Sequence, residues 1–178
     1  QDWVTAGNLT ATTDYSAIRK IDAVAICVPT PMKKLKNPDL SHVISSVDSL
    51  SPYLHVDLLL IIESSVNYGT TRSLLLPKLE ENGLQAGKDF YLTVSPVRLD
   101  PGNEDYRIEE IPKVMGGATQ ECLKIEKALY TQVFHEVVEF ASVEAAEFVK
   151  ILESSYRSIN IGLVNEMALM AERLGVNI

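Results

Sequence analysis

DAVAICVPTP, residues 22 to 31, decides the fold. Its first seven residues form a short, nearly continuous apolar run, the pattern of a strand covered on both faces. Pro29-Thr30-Pro31 ends the run, and a basic loop, KKLKNPD, follows. Asp39 or Ser41 can then cap a helix reaching to about Leu54, with Leu40, Val43, Ile44, Val47 and Leu50 along one face. The alternation repeats outward from there. VDLLLII (56–62) reads as a second buried strand, and Thr70 to about Glu81 as a helix ended by Gly83. DFYLTV (89–94) reads as a third strand and IPKVM (111–115) as a fourth. Gly116-Gly117 turns into a helix from about Thr119 to Gln132, and Val133 to Phe140 forms a last strand. Strands alternating with helices of this length predict an α/β fold with right-handed crossovers and a mainly parallel sheet flanked by helices.

The pattern changes after Ser142. From Val143 to about Leu174 no proline occurs, and apolar residues recur at spacings of 3 and 4, from Val143 and Ala146 through Leu163 to Leu174. This predicts one C-terminal helix, roughly 45 Å long at 1.5 Å per residue. So small a sheet cannot cover such a helix, so it should bridge to another domain or pack on a second copy of itself. The chain therefore divides into a sheet unit, 1–140, and a helical unit, 141–178.

Composition narrows the function. The chain has 178 residues, 46% of them hydrophobic and 22% charged, with a net charge of −8. That balance argues against nucleic acid or an anionic membrane as the main partner, and leaves room for a small anionic ligand at a local basic spot. The longest apolar run, LLLII (58–62), is too short to span a bilayer. No signal peptide opens the sequence. Cys27 and Cys122 are expected as free thiols in a reducing cytoplasm. The three histidines have no ligand spacing, so no metal site is suggested.

In an open parallel sheet, ligands bind beyond the carboxyl ends of the strands. Three loops should lie there: Pro29 to Pro31, Glu63 to Ser65, and SPVRLDPG (95–102). Pro, Ser, Asp and Gly are also ordinary turn formers, so each loop alone reads first as a connection, and it is the three together at one edge that point to a site. Val97 is odd, being an apolar residue in the middle of a polar loop. Lys150 is odd too: it sits beside the apolar stripe of the long helix, either snorkelling from a packed face or aimed into a cleft. Ser154 follows one turn later on the same side. No G-x-G-x-x-G motif is present, and Gly116-Gly117 reads as a tight turn.

The stretches AVAICVPTP, IIESSVNYGTT, SPVRLDPGN, IPKVMGGATQEC and VKILESSYRSINIGLVNEMALMAERLGV, in this order, resemble the UDP-glucose/GDP-mannose dehydrogenase family. The R-L-D-P-G-N wording is most similar to the branch acting on UDP-N-acetylglucosamine or UDP-N-acetylmannosamine. The resemblance implies a partial Rossmann-like NAD-binding domain lacking its glycine-rich first half, followed by the central helix. It also implies NAD as cofactor, a UDP-sugar substrate oxidised at its sixth carbon from alcohol to carboxylate, and a homodimer through helix 143–174. The catalytic cysteine that captures the intermediate aldehyde is expected outside this chain.

Residue by residue, the resemblance implies that Val28, Pro29, Thr30, Pro31, Glu63 and Ser64 lie against the cofactor. Ser65 stands where the family has a threonine that assists proton removal with a water. Lys150 matches a lysine that stabilises the oxyanion. Arg98, Leu99, Asp100, Pro101 and Gly102 match the substrate-facing loop. Two catalytic positions are substituted. Val97 stands in place of a glutamate, and has no proton to give or take in hydrolysis. Ser154 replaces an asparagine and has shorter reach. Tyr68 replaces a proline in the loop after the second strand. The chain alone is thus expected not to turn over. The rival expectation is a non-catalytic dimerising or interaction module that derives from such an enzyme.

Overall fold

The computed structural model describes residues 2–32, 38–98 and 107–177. Its elements follow the expected alternation. A short helix α1 (Asp2–Thr5) and a 3-10 turn (Tyr15–Lys20) precede β1 (Ala23–Ile26) and α2 (Ser41–Leu50). Then come β2 (Leu59–Ile62), a π-helical turn (Thr71–Leu75) running into α3 (Leu76–Glu80), β3 (Tyr91–Val94) and β4 (Lys113–Gly117). The chain continues through α4 (Gln120–Tyr130), β5 (Val137–Phe140) and α5 (Val143–Leu174). The wide turn before α3 has a local cause. Pro77 lacks an N–H and its ring would strike the carbonyl four residues back, so the helix loosens just upstream of it.

The five strands form one sheet in the order β1-β2-β3-β4-β5. β1, β2 and β3 are parallel, as expected for the apolar runs; every residue of β2 is buried. The core on one side of the sheet gathers Val43, Val47 and Leu50 of α2 with Leu60, Ile62, Leu75, Leu79, Leu92 and Val94. On the other side Leu59, Ile61 and Met115 pack against Leu123 and Tyr130 of α4.

The β3–β4 connection departs from the crossover expectation. β4 pairs antiparallel to β3, through Thr93↔Gly117 and Val94↔Gly116, while β5 is parallel to β4. A parallel return needs a long crossover, usually a helix. β4 instead returns antiparallel from beyond the carboxyl end of β3. The reversal has a consequence for the site. β5 enters the sheet beyond the carboxyl edge and ends at Phe140 beside Gly116, which faces Val94 at the end of β3, so α5 starts close to that edge.

Gly116-Gly117 is not the turn expected from sequence but the end of β4, and its glycines are needed for close packing. A Cβ on Gly116 would lie 2.3 Å from the Ser142 carbonyl oxygen, and one on Gly117 2.5 Å from that of Thr119. The bare backbone lets the starts of α4 and α5 seat on the strand. Helix α4 is capped by the Thr119 hydroxyl, which accepts from Cys122 N at 3.2 Å, and α5 by Ser142 and a left-handed Gly175. Both caps follow ordinary chemistry. In α5 only Val143, Ala146 and Glu147 are buried. Tyr156, Ile159, Leu163 and Leu174 are all more than half exposed.

Candidate functional site

Two hollows open at the carboxyl edge, on either side of the loops that follow β1 and β2. The first, of about 480 Å3, is bordered by Thr30, Met32, Pro38, Ser65, Val66, Asn67, Lys150, Ile151, Ser154 and Ser155. Here the structure brings together four of the sequence-predicted residues from three distant stretches: Thr30 after β1, Ser65 after β2, and Lys150 and Ser154 on α5. The arrangement follows from the fold. Parallel β1 and β2 put both loops at one edge, and the reversal at β4 lets α5 start close to that edge. Lys150 makes no hydrogen bond or ion pair among the described residues. A compact ammonium that shares a hollow with hydroxyl side chains can bind an anion or stabilise charge that develops on a nearby oxygen.

Val97 lies elsewhere. It lines the second hollow, of about 270 Å3, together with Cys27, Glu63, Pro96, Arg98, Ile108, Ile111, Pro112, Lys113 and Phe134. Val97 is thus part of an apolar wall with Ile108, Ile111, Pro112 and Phe134, which explains its hydrocarbon side chain. The structure does not bring it to the cleft of Ser65 and Lys150.

Other predicted residues are engaged in holding the loops. The Ser64 hydroxyl donates to the Ile26 and Val28 carbonyls at 3.1 and 2.7 Å, which fastens the turn after β2 to the end of β1. Arg98 forms a two-pronged pair with Glu153 of α5, at 3.0 and 2.8 Å, and also donates to the Pro112 carbonyl at 3.2 Å. Such a fork fixes orientation as well as charge. Its guanidinium therefore faces the helix and the start of β4. Leu99, Asp100, Pro101 and Gly102 lie outside the described residues.

Glu63 belongs to a buried polar cluster that the sequence reading missed. Its carboxylate accepts from Lys113 Nζ at 2.6 Å and from the Tyr130 hydroxyl. The lysine also donates to the Ser95 carbonyl at 3.4 Å and stands over the Tyr130 and Phe134 rings, 5.0 and 5.3 Å from their centroids. Burial and the Glu63 hydrogen bond both push the Tyr130 hydroxyl well above its ordinary range. Burial, then Glu63, raises the Cys27 thiol, which keeps it from being a ready thiolate nucleophile. Beneath this cluster lies Glu126, fully buried on the inner face of α4. Neither of its oxygens has a well-formed partner among the described residues. The Thr93 hydroxyl, which itself donates to Leu60 O at 3.5 Å, supports it only slightly. Desolvation lifts its pKa to about 9, so Glu126 is a neutral acid at pH 7. A carboxylate on the apolar stripe of a predicted helix was the available signal.

Two family descriptions match the chain. The NAD binding domain of the UDP-glucose/GDP-mannose dehydrogenase family matches residues 1–134, and the central domain of the same family matches residues 144–178. The UDP-N-acetyl-D-glucosamine 6-dehydrogenase of Pseudomonas aeruginosa is 32% identical over 97% of this chain and 41% of its own length. The UDP-N-acetyl-D-mannosamine dehydrogenase of Methanocaldococcus jannaschii is 33% identical over 98% of this chain and 40% of its own length. Among solved structures, the UDP-D-ManNAc dehydrogenase of Pyrococcus horikoshii superposes with a TM-score of 0.91 at 30% identity, over 99% of this chain and 42% of that one. The chain therefore spans less than half the length of these relatives. With both family domains matched in order and the sheet and long helix reproduced, the chain belongs to the UDP-glucose/GDP-mannose dehydrogenase family.

Proposed function

We propose that the chain forms the cofactor-facing part of an NAD-dependent UDP-N-acetylhexosamine 6-dehydrogenase that works in the cytoplasm. The observation that carries this reading is the cleft that Lys150, unpaired among the described residues, borders together with Thr30, Ser65 and Ser154. Such a cleft suits a dinucleotide's reactive end. It opens at the carboxyl ends of parallel strands, as ligand sites of open α/β sheets do. Val28 to Pro31, with the Thr30 hydroxyl, would hold NAD, and Ser64 would keep that segment in place. NAD, when bound, supplies a hydride acceptor for the sugar alcohol.

The chain's own residues have separable tasks in this reading. Lys150 stabilises negative charge on the oxygen of the reacting carbon. Ser65, with both a donor and acceptors, holds a water or relays the alcohol proton. Ser154 orients the same oxygen from one turn further along α5. Arg98, tied to Glu153, would face the sugar from the start of the substrate loop. Val97 supplies no acid or base, and neither Cys27 nor Cys122 lines this cleft.

Titration of the chain with NAD, followed by amide chemical shifts, tests the reading. Thr30, Ser65 and Lys150 are expected to shift together, and a titration that leaves all three unmoved sinks it. With NAD and UDP-N-acetylglucosamine or UDP-N-acetylmannosamine, the isolated chain is expected not to sustain the double oxidation, because it offers no thiol in the cleft to capture the intermediate aldehyde. Steady NADH formation would refute that incompetence.

A second reading, a non-catalytic dimerising module, is favoured by the exposed apolar residues of α5 and by the placement of Val97 outside the cleft. Both readings include a homodimer through helix 143–174. Light scattering should find a dimer, and Leu163→Asp should yield a monomer with its sheet intact, since pairing would bury an uncompensated charge. A monomeric parent chain would rule the dimer out. The flanking coding sequence separates the two readings: an in-frame glycine-rich motif upstream and a cysteine motif downstream favour the enzyme.

A further inference from the structure

Charged residues recur every three positions at the start of α5: Glu144, Glu147, Lys150 and Glu153. Residues three apart form one slanting ridge on a helix. Three members of this ridge are engaged, and Lys150 alone has no partner among the described residues. Glu144 accepts from Arg72 Nε at 2.9 Å, which lowers its pKa, and Glu153 holds Arg98.

Glu147 is the buried member, 1% exposed. Its Oε2 accepts from the Gly69 N–H at 2.6 Å and its Oε1 from the Thr71 N–H at 2.9 Å. These donors stand where the helical segment leading into α3 begins, and the first N–H groups of a helix have no partner within it. A local N-cap normally serves them, but Thr70 makes no side-chain cap here. The acceptor comes instead from 76 and 78 residues downstream. Gly69 takes a left-handed φ of +80°, which directs its N–H inward at a cost few other residues avoid. The result is a bridge between two walls of the cleft. One wall is the loop after β2 that carries Ser65. The other is α5, where Lys150 lies one turn beyond Glu147.

We propose that Glu147 is a positioning residue, a bridging carboxylate that sets Ser65 against Lys150 across the cleft. Its part in a reaction rests on the function proposed above, but the placement itself is testable without turnover. Glutamine is the informative replacement. It keeps the volume, yet whichever way its amide turns, one of the two N–H groups faces an NH2 instead of an oxygen.

The experiment uses the 178-residue chain. In the unaltered protein, hydrogen exchange at Gly69 and Thr71 should be slowed about a hundredfold or more, as for amides released only by larger openings. Exchange at the rate of open helix starts would overturn the proposal without any variant, should Glu147→Gln fail to fold. In folded Glu147→Gln, the 15N order parameters of residues 64–68 should fall from about 0.85 toward 0.6, with β2 and β3 unchanged. Glu144→Gln, which loses only the Arg72 tie, should leave them near the parent values. If residues 64–68 stay as ordered in Glu147→Gln as in the parent, Glu147 is a cap that does not hold Ser65, and the proposal falls. Failure of NAD to perturb the cleft would count against the proposed function and leave these outcomes as they are.

Discussion

Replacing Lys113 by methionine should cost about 3 kcal/mol of stability, in the range found when one partner of a buried ion pair is removed. Lys113 and Glu63 are each only about a tenth exposed at the side chain and sit 2.6 Å apart. Without the ammonium, the Glu63 carboxylate keeps only the Tyr130 hydroxyl, and the Ser95 carbonyl loses its donor. The lysine also joins three elements: the strand end of β2, the turn after β3 and the start of β4. Its loss should therefore loosen the apolar hollow that Val97 lines. Adding Glu63→Gln to the methionine variant should recover most of the loss, because removing both charges also removes the uncompensated one. Urea denaturation checks both steps. A single substitution costing under about 0.5 kcal/mol, or a double variant less stable than either single one, would show that the pair does not hold the edge together.

The parts of this architecture legible in the sequence are those set by local patterning. DAVAICV and VDLLLII announce strands because a strand with both faces covered needs no polar alternation. Helix 143–174 is legible because its apolar spacing runs without a proline, and its observed limits match. Gly83, with φ near +83°, ends its segment as expected of a glycine stop. The antiparallel return into β4 was hidden, because IPKVM reads the same in either direction. The Gly116-Gly117 pair reads as a turn for a related reason: close approach of another helix leaves no local mark beyond the glycine itself.

The site divides along the same line. Thr30, Ser65, Lys150 and Ser154 could be named as candidates because loops after parallel strands share an edge. Which of them share a wall depends on where α5 crosses, and that rests on the hidden reversal. Val97, read as a substituted catalytic position, lines the apolar hollow beside Lys113, and Arg98, read as part of the substrate-facing loop, forks to Glu153 and donates to the Pro112 carbonyl. Glu147, Lys113 and Glu126 went unremarked because their partners lie 76, 50 and about 30 residues away or, for Glu126, scarcely exist. Charged side chains in buried segments are the trace such clusters leave in a sequence.

Glu126→Gln should make the protein more stable, and increasingly so as the pH rises. The folded carboxyl titrates at about 9, against an ordinary value of 4.5. Folding therefore takes up a proton between those limits. A raised acid contributes stability that is fully present below its unfolded pKa, and that is lost as pH rises through the folded one, at up to about 1.4 kcal/mol per unit. At pH 7.5 the parent chain has lost most of that contribution, because its unfolded form ionises freely. Glutamine cannot ionise in either state and keeps the buried volume. Its amide still lacks good partners, a cost of about 1 kcal/mol. The two proteins should thus lie within about 1 kcal/mol near pH 4.5, with the variant ahead by about 3 kcal/mol at pH 7.5. Glu144, lowered by Arg72, works in the opposite sense, as its share is lost when the pH falls through its folded pKa, but it is common to both proteins and cancels in the difference. Urea denaturation of both chains from pH 4.5 to 9 measures that difference directly. Parallel curves across this window would mean that Glu126 is ionised in the folded state, and that Lys113 or water reaches it more closely than its burial allows.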